Sequence, residues 1–262
     1  MNHAQPDGTP LLHVDALSIA FGGLKAVQEF SLRLPSRGLY GLIGPNGAGK
    51  TTVFNLLTGV YQPDVGGINL ASRRLNGMRP NEIASAGLSR TFQNIRLFGE
   101  LSVIENVQLA CALRNRPGLL ATFLRSPGAL GRERAVHARA LDLLSLFDLQ
   151  SRAHEPARSL PYGHQRKLEI IRALATEPKV LLLDEPAAGM NPQEKLDLAT
   201  AIRHIRDTVG VAILLIEHDM GLVMDICERI TVLDHGVTIA HGTPREVQEN
   251  PQVIAAYLGE ME

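Results

Sequence analysis

Apolar positions along the chain change period several times, and each change marks an element. Leu11–Ile19 and Val27–Leu34 alternate apolar with polar residues, the pattern of strands with one face buried. Gly38–Ile43, Val180–Asp184, Val211–Glu217 and Ile230–Asp234 are near-continuous Val/Ile/Leu runs, which suit parallel strands covered on both faces. Thr51–Leu57, Gly163–Ala175 and Pro192–Asp207 carry apolar residues at helical spacing. From Ser102 to Ala175 no strand-like run occurs. There Val103–Leu113 and Ala135–Phe147 predict helices, separated by a Gly/Pro-containing stretch from Pro117 to Gly131. Strands alternating with helices predict an α/β fold with a mainly parallel sheet. The middle of the chain predicts a helical lobe inserted into it.

Composition narrows the chemistry. The 262 residues suffice for one large domain, and 26 Lys and Arg against 27 Asp and Glu leave a net charge of −1. No overall basic field is available to hold nucleic acid, so a DNA- or RNA-binding role is not expected. Cys111 and Cys227 lie far apart in apolar surroundings and fit no metal spacing, which predicts core filling in a reducing compartment. The stretch Met1 to Pro10 is polar and lacks the apolar core of a secretion signal. The longest apolar runs are strand-sized, well short of the roughly 18 residues a spanning helix needs. The chain is therefore expected to reach a membrane only through a partner.

One turn carries most of the chemical information. Gly44-Pro-Asn-Gly-Ala-Gly49-Lys50-Thr51 fits G-x-x-x-x-G-K-[ST] between a predicted strand and a predicted helix. Glycines let backbone N–H groups curl around phosphate oxygens, where a side chain would block approach. The helix that follows aims its positive end at the same anion. Lys50 is expected to reach the β and γ phosphates of a nucleotide and Thr51 to ligate Mg²⁺. Val180–Glu185 is a buried strand ending in two acids; Asp184 is placed to hold Mg²⁺ through water and Glu185 to polarise an attacking water. His218 follows the strand Val211–Ile216, at the edge where such sheets bind ligands, and could sense the γ-phosphate.

These residues, in this order, resemble an ABC transporter ATPase subunit over about Leu11 to Gly259. The resemblance implies a P-loop NTPase (RecA-like) core, an N-terminal antiparallel β subdomain and an inserted helical subdomain. It implies one cassette, 11–262, with the α/β core near 11–98 and 176–242, helical subdomain 99–175 and a helical tail 243–262. Gly44, Pro45, Asn46, Gly47, Ala48, Gly49, Lys50, Thr51 and Thr52 match the Walker A motif, and Val180–Glu185 the Walker B motif with its catalytic glutamate. Gln93 matches the Q-loop, at once near the reacting water and the metal. His218 matches the switch histidine and Phe21 the aromatic that stacks on adenine. Ala188-Gly-Met-Asn191 stands in the place of the D-loop.

Leu160-Pro-Tyr162-Gly163-His164-Gln165 stands where the family signature Leu-Ser-Gly-Gly-Gln is found. Pro161 replaces the serine and brings neither hydroxyl nor N–H. The resemblance implies ATP and Mg²⁺ as ligands, a second ATPase chain (a paralogue) arranged head-to-tail, two permease chains and an extracytoplasmic solute-binding protein. It implies a peripheral place on the cytoplasmic face of the inner membrane. Phe21-Gly-Gly-Leu-Lys-Ala-Val27, Arg90–Phe98, Glu185–Gly189, Leu215–Asp219 and Ala256–Glu260 are similar to the branched-chain amino-acid uptake group, in particular the larger of its two ATPase subunits. Urea uptake and lipopolysaccharide export relatives share several of these phrases. A soluble ABC protein acting on ribosomes or DNA, and a phosphate-loop kinase or GTPase, are rival readings; the guanine-reading Asn-Lys-x-Asp of a GTPase is absent.

A further stretch holds Arg114, Arg116, Arg125, Arg132, Arg134 and Arg139 against a single acid, Glu133. It could face anionic headgroups or acidic permease loops, each basic residue there adding about 1 kcal/mol. A solvated helix face and loop is the alternative.

Overall fold

A computed structural model describes residues 10–114 and 127–258. Ten strands form one sheet: β1 (Leu12–Phe21), β2 (Leu24–Leu34), β3 (Leu39–Ile43), β4 (Val65–Leu70), β5 (Arg73–Arg74), β6 (Leu88–Arg90), β7 (Val180–Asp184), β8 (Ala212–Ile216), β9 (Arg229–Asp234) and β10 (Val237–Gly242). Their order is β5-β4-β1-β2-β10-β9-β3-β8-β7-β6. β9, β3, β8, β7 and β6 run parallel to one another, whereas β5, β4, β1 and β2 form an antiparallel wing. The expected fold class is the observed one.

Side-chain alternation divides the central strands between two cores. Leu181, Leu183, Ile213, Leu215, Leu39 and Ile43 point to one face, among the helices of residues 103–175 and 192–226. Val180, Leu182, Ala212, Leu214, Ile216 and Leu42 point to the other, against Phe54 and the β1–β2 wing. Every residue of β3, β7 and β8 is buried, which is why those runs are apolar throughout but for Asp184 at the end of β7.

Helices Val103–Arg114, Pro127–Ser145 and Tyr162–Ala175 lie between β6 and β7 in sequence. The expected helix at Ala135 begins earlier, at Pro127, where proline's missing N–H costs nothing in a first turn. Of the Gly/Pro-containing stretch, residues 117–126 fall outside the described residues, as do Arg116 and Arg125 of the basic segment. Arg132, Arg134 and Arg139 are exposed on the helix Pro127–Ser145. The helix from Pro192 ends at His204 and continues as a π-helical turn, Ile205–Val209, closed by Gly210 in the left-handed region. Among the described residues, no helix is long and apolar enough to cross a membrane.

Both cysteines are free and buried. Burial pushes the Cys227 thiol up to about 12, which suits a core filler rather than a nucleophile.

Candidate functional site

Parallel strands bring their carboxyl ends to one edge, and the register places them level. Leu42 of β3 pairs with Ile216 of β8, which pairs with Asp184 of β7; Leu182 of β7 pairs with Arg90 of β6. The residues just beyond these ends are Gly44, Glu185, Glu217 and His218, with Gln93 three residues past β6. Such an edge is where open α/β sheets bind ligands.

Geometry of the phosphate turn leaves no room for side chains at two of its glycines. A Cβ on Gly44 would lie 2.0 Å from the Leu233 carbonyl oxygen, and one on Gly49 2.6 Å from that of Ala26. Gly49, in the left-handed region, is the N-cap of the helix Lys50–Leu57. Lys50 is buried and donates to the Gly44 and Pro45 carbonyls at 2.6 and 2.7 Å, folding its ammonium over the turn. First-turn amides of that helix have no intrahelical acceptor, and Lys50, Thr51 and Thr52 stand there. Pro45 and Ala48 are buried beneath the turn while Asn46 and Gly47 are exposed on it. The cradle and the helix terminus fit a polyphosphate.

Phe21 closes β1 beside the same turn, since Ala26 of the adjoining strand backs Gly49. The residue is 43% exposed and its ring meets Tyr61 edge-on, centroids 5.1 Å apart. This aromatic pair is available to a base, and Tyr61 was not singled out by sequence.

Asp184 sits at the end of β7 with its side chain only 5% exposed. Its carboxylate accepts from Arg90 Nη2 at 2.5 Å, while Arg90 Nη1 donates to Asn55 Oδ1 at 2.7 Å. Asn55 lies four residues after Thr51, one helical turn along the same face, so the Arg90 bridge ties Asp184 to the face of the helix that carries Thr51. The guanidinium also lies over the Phe54 and Phe92 rings. No local pattern marks Arg90 for this role, because Asn55 and Asp184 are brought to it only by folding. Arg90→Ala would strand a buried carboxylate, at a cost of about 3–5 kcal/mol. Urea unfolding without nucleotide or Mg²⁺ checks this; a loss below about 1 kcal/mol, the worth of a surface pair, would contradict it.

Glu185 leaves β7 in the left-handed region, φ 48°, uncommon for a residue with a side chain. That turn aims its carboxylate between two groups: His218 Nε2 donates to Oε1 at 2.6 Å and Gln93 Nε2 to Oε2 at 3.0 Å. The three candidate catalytic residues are thus brought together. Thr51 hydroxyl, Gln93 amide oxygen and Asp184 carboxylate are all hard oxygen donors, the set that suits Mg²⁺. Among the described residues no group of three or more His, Cys, Asp or Glu could hold a metal alone. A site with one carboxylate agrees with a metal carried largely by substrate phosphates.

The signature segment opens the helix Tyr162–Ala175. Pro161 is its N-cap, not its first turn, and supplies no side-chain cap. Tyr162 is exposed and lies against Gly189, and a Cβ on Gly163 would meet Glu194 Oε1 at 2.6 Å, so this segment abuts the D-loop region. Asn191 and Glu194 form a capping box at the start of Pro192–His204. His164 has a buried Nδ1 with no hydrogen-bond partner, and burial together with Lys167 and Arg152 pushes its imidazole below the ordinary range.

Farther along the same helix, two buried residues grip the Q-loop backbone. Arg166 Nη1 donates to the Phe92 carbonyl at 2.8 Å and Nη2 to that of Gln93. Glu169 Oε1 accepts the Phe92 N–H at 3.2 Å, and its Oε2 pairs with Arg166 Nη1, also at 3.2 Å. Burial pushes the Glu169 carboxyl up, against the pull of that amide and guanidinium. Sequence missed this clamp because its targets are main-chain atoms more than seventy residues away. Next to it a groove of about 330 Å³ is lined by Arg90, Phe92, Arg96, Glu169, Arg172 and Thr176 among others.

Known protein families and solved structures resemble this chain in sequence and fold. A family model described as ABC transporter matches residues 27–188, and one described as branched-chain amino acid ATP-binding cassette transporter matches residues 237–262. The high-affinity branched-chain amino acid transport ATP-binding protein LivG of Salmonella typhimurium is 48% identical over 251 residues, 96% of this chain and 98% of that one. Its counterpart BraF of Pseudomonas aeruginosa is 45% identical over the same shares. A crystal structure of the ADP conformation of an ATP-binding cassette superposes with TM-score 0.80 at 26% identity, covering 95% of this chain and 98% of that one.

Proposed function

The chain belongs to the ABC transporter family, and from that premise we propose that it is the ATP-hydrolysing subunit of an importer for branched-chain amino acids. The observation that carries the hydrolytic reading is Glu185, held between Gln93 and His218 at the edge that also presents the phosphate turn. Phe21 and Tyr61 take the adenine face, and the amides of residues 44–52 with the Lys50 ammonium take the phosphates. Glu185 orients and polarises a water for in-line attack on the γ-phosphorus, giving ADP and phosphate. The His218 Nε2–H fixes one Glu185 carboxylate oxygen and the Gln93 side-chain amide the other, so the remaining lone pairs face the water. Thr51 and Gln93 directly, and Asp184 through water, would hold Mg²⁺, which supplies charge neutralisation at the phosphate oxygens.

The signature segment serves a second chain. Tyr162, Gly163 and His164 present first-turn amides of a helix whose N-cap side chain bonds nothing, a site for the γ-phosphate carried by a partner cassette. Two such cassettes, this chain and a paralogue, close head-to-tail on two ATP molecules and reopen after hydrolysis. The groove beside the Q-loop, at the junction of the α/β core (11–98, 176–242) with the helical lobe (99–175), suits contact with two membrane-spanning permease chains. An extracytoplasmic solute-binding protein delivers the amino acid, and the ATPase sits peripherally on the cytoplasmic face of the inner membrane. No nucleic acid takes part.

Pro161→Ser tests the signature reading. A hydroxyl regained towards a charged group is worth about 1.5–3 kcal/mol, so ATP-driven dimerisation should tighten roughly tenfold or more. Sedimentation of the Glu185→Gln background with ATP reads it, and unchanged or weaker dimerisation counts against the reading. For the transport assignment, a strain lacking the gene should regain uptake of labelled leucine with the wild-type chain and not with Glu185→Gln. Restored urea uptake without leucine uptake would overturn it.

A further inference from the structure

Glu217 is buried, only 4% exposed, and nothing in the hydrolytic reading uses it. It is the first residue past β8, as Glu185 is the first past β7, and Asp184 and Ile216 are paired in register between them. The two strand ends are already joined by the Glu185 N–H, which donates to the Ile216 carbonyl at 2.9 Å.

The Glu217 carboxylate extends that junction outward. Oε1 accepts the Ala187 N–H at 2.7 Å, in the turn that Glu185 opens. Oε2 accepts the His218 N–H at 3.1 Å, with the Asp219 N–H at 3.5 Å. One oxygen therefore serves the segment of Glu185 and the other the segment of His218. Burial pushes this carboxyl up, opposed by the three amides, and the Glu185 charge pushes it further the same way. A second strap lies alongside: Lys195 Nζ donates to Asp219 Oδ2 at 2.6 Å, from the helix that follows the D-loop. Burying a carboxylate among amides is costly where a neutral side chain would fill the space. Glutamine cannot do the same, since its one acceptor oxygen can stand in only one of the two places that Oε1 and Oε2 occupy.

We propose that Glu217 is a positioning residue for ATP hydrolysis, its two oxygens tying the Glu185 turn to the His218 segment and so holding the 2.6 Å contact between those side chains. The proposal rests on Glu185 and His218 being the hydrolytic pair.

The test uses the full chain assembled with its permease and partner ATPase. Glu217→Gln preserves volume, so a filler role predicts normal turnover. Misplacement of a reacting group by about 1 Å can cost about 10²-fold, and a kcat loss of that order is expected with KM for ATP and ADP affinity little changed. Adding Glu217→Gln to His218→Ala should then cost little more, because the tie acts through that histidine. Normal kcat in Glu217→Gln, a parallel loss of nucleotide affinity, or full additivity with His218→Ala would each overturn the proposal. Should Glu217→Gln fail to fold, amide exchange in the wild-type chain decides: Ala187 and His218 amides are expected to open together, and independent fast exchange overturns it. Glu185→Gln run in parallel separates the two assignments. Sustained turnover there removes the hydrolytic pair itself, whereas turnover sustained only in Glu217→Gln removes the tie.

Discussion

Glu185→Gln is expected to lower ATP turnover by about 10²–10⁴-fold, the range supplied by a positioned general base, while ATP binding is retained. The geometry gives the reason. Two donors, His218 Nε2 and Gln93 Nε2, converge on the Glu185 carboxylate, one on each oxygen. Glutamine has a single acceptor oxygen, so one donor loses its partner or turns away, and the basic group that should polarise water is gone. Binding survives because Glu185 does not support the phosphate turn, and because removing a negative charge near the γ-phosphate relieves repulsion. With binding intact and hydrolysis blocked, the closed dimer should accumulate on ATP and Mg²⁺. Single-turnover hydrolysis and size analysis in ATP read both effects. Near-normal hydrolysis would remove Glu185 from the role.

Gly44→Ala is expected to abolish nucleotide binding, with affinity down by about 10²-fold or more, through backbone sterics rather than lost charge. The added Cβ would lie 2.0 Å from the Leu233 oxygen, and Leu233 belongs to β9, the parallel neighbour of β3. Main-chain oxygen in a sheet cannot swing aside as a side chain can, so β3 and the turn must shift together. φ at Gly44 is +149°, in the region that L residues avoid, and nothing relieves that. Gly47→Ala supplies the contrast. Gly47 also has a positive φ, +77°, but nothing lies within 4 Å of its Cβ, so only backbone strain of about 1–2 kcal/mol is incurred. Fluorescent ADP titration of both variants separates them. Equal affinities would contradict the steric account.

Much of this fold was legible because the central strands are buried on both faces. β3, β7 and β8 had to be apolar but for Asp184, and the chain shows them as such. β10 was missed: Val237–Gly242 is half-exposed, mixes His and Thr with apolar residues, and is held by pairing to β9. β6 has three residues, and its pairing with β7 is a long-range choice no local window contains. The helix Met220–Ile226 has seven residues, too few to display a period.

The site divides the same way. Residues that must present a fixed chemistry at fixed spacing, such as Gly44 to Thr51 or the adjoining Asp184 and Glu185, announce themselves. Arg90, Arg166, Glu169 and Glu217 act through partners brought near only by folding, three of them through main-chain atoms. An acid directly after an apolar run, as Glu217 follows Val211–Ile216, was the one signal available in advance.

The most direct test is a calorimetric titration of the purified full chain with ATP and Mg²⁺. Saturable binding of one nucleotide per chain in the micromolar range is expected, lost in Gly44→Ala and kept in Glu185→Gln. A wild-type chain that takes up no adenine nucleotide would contradict the account.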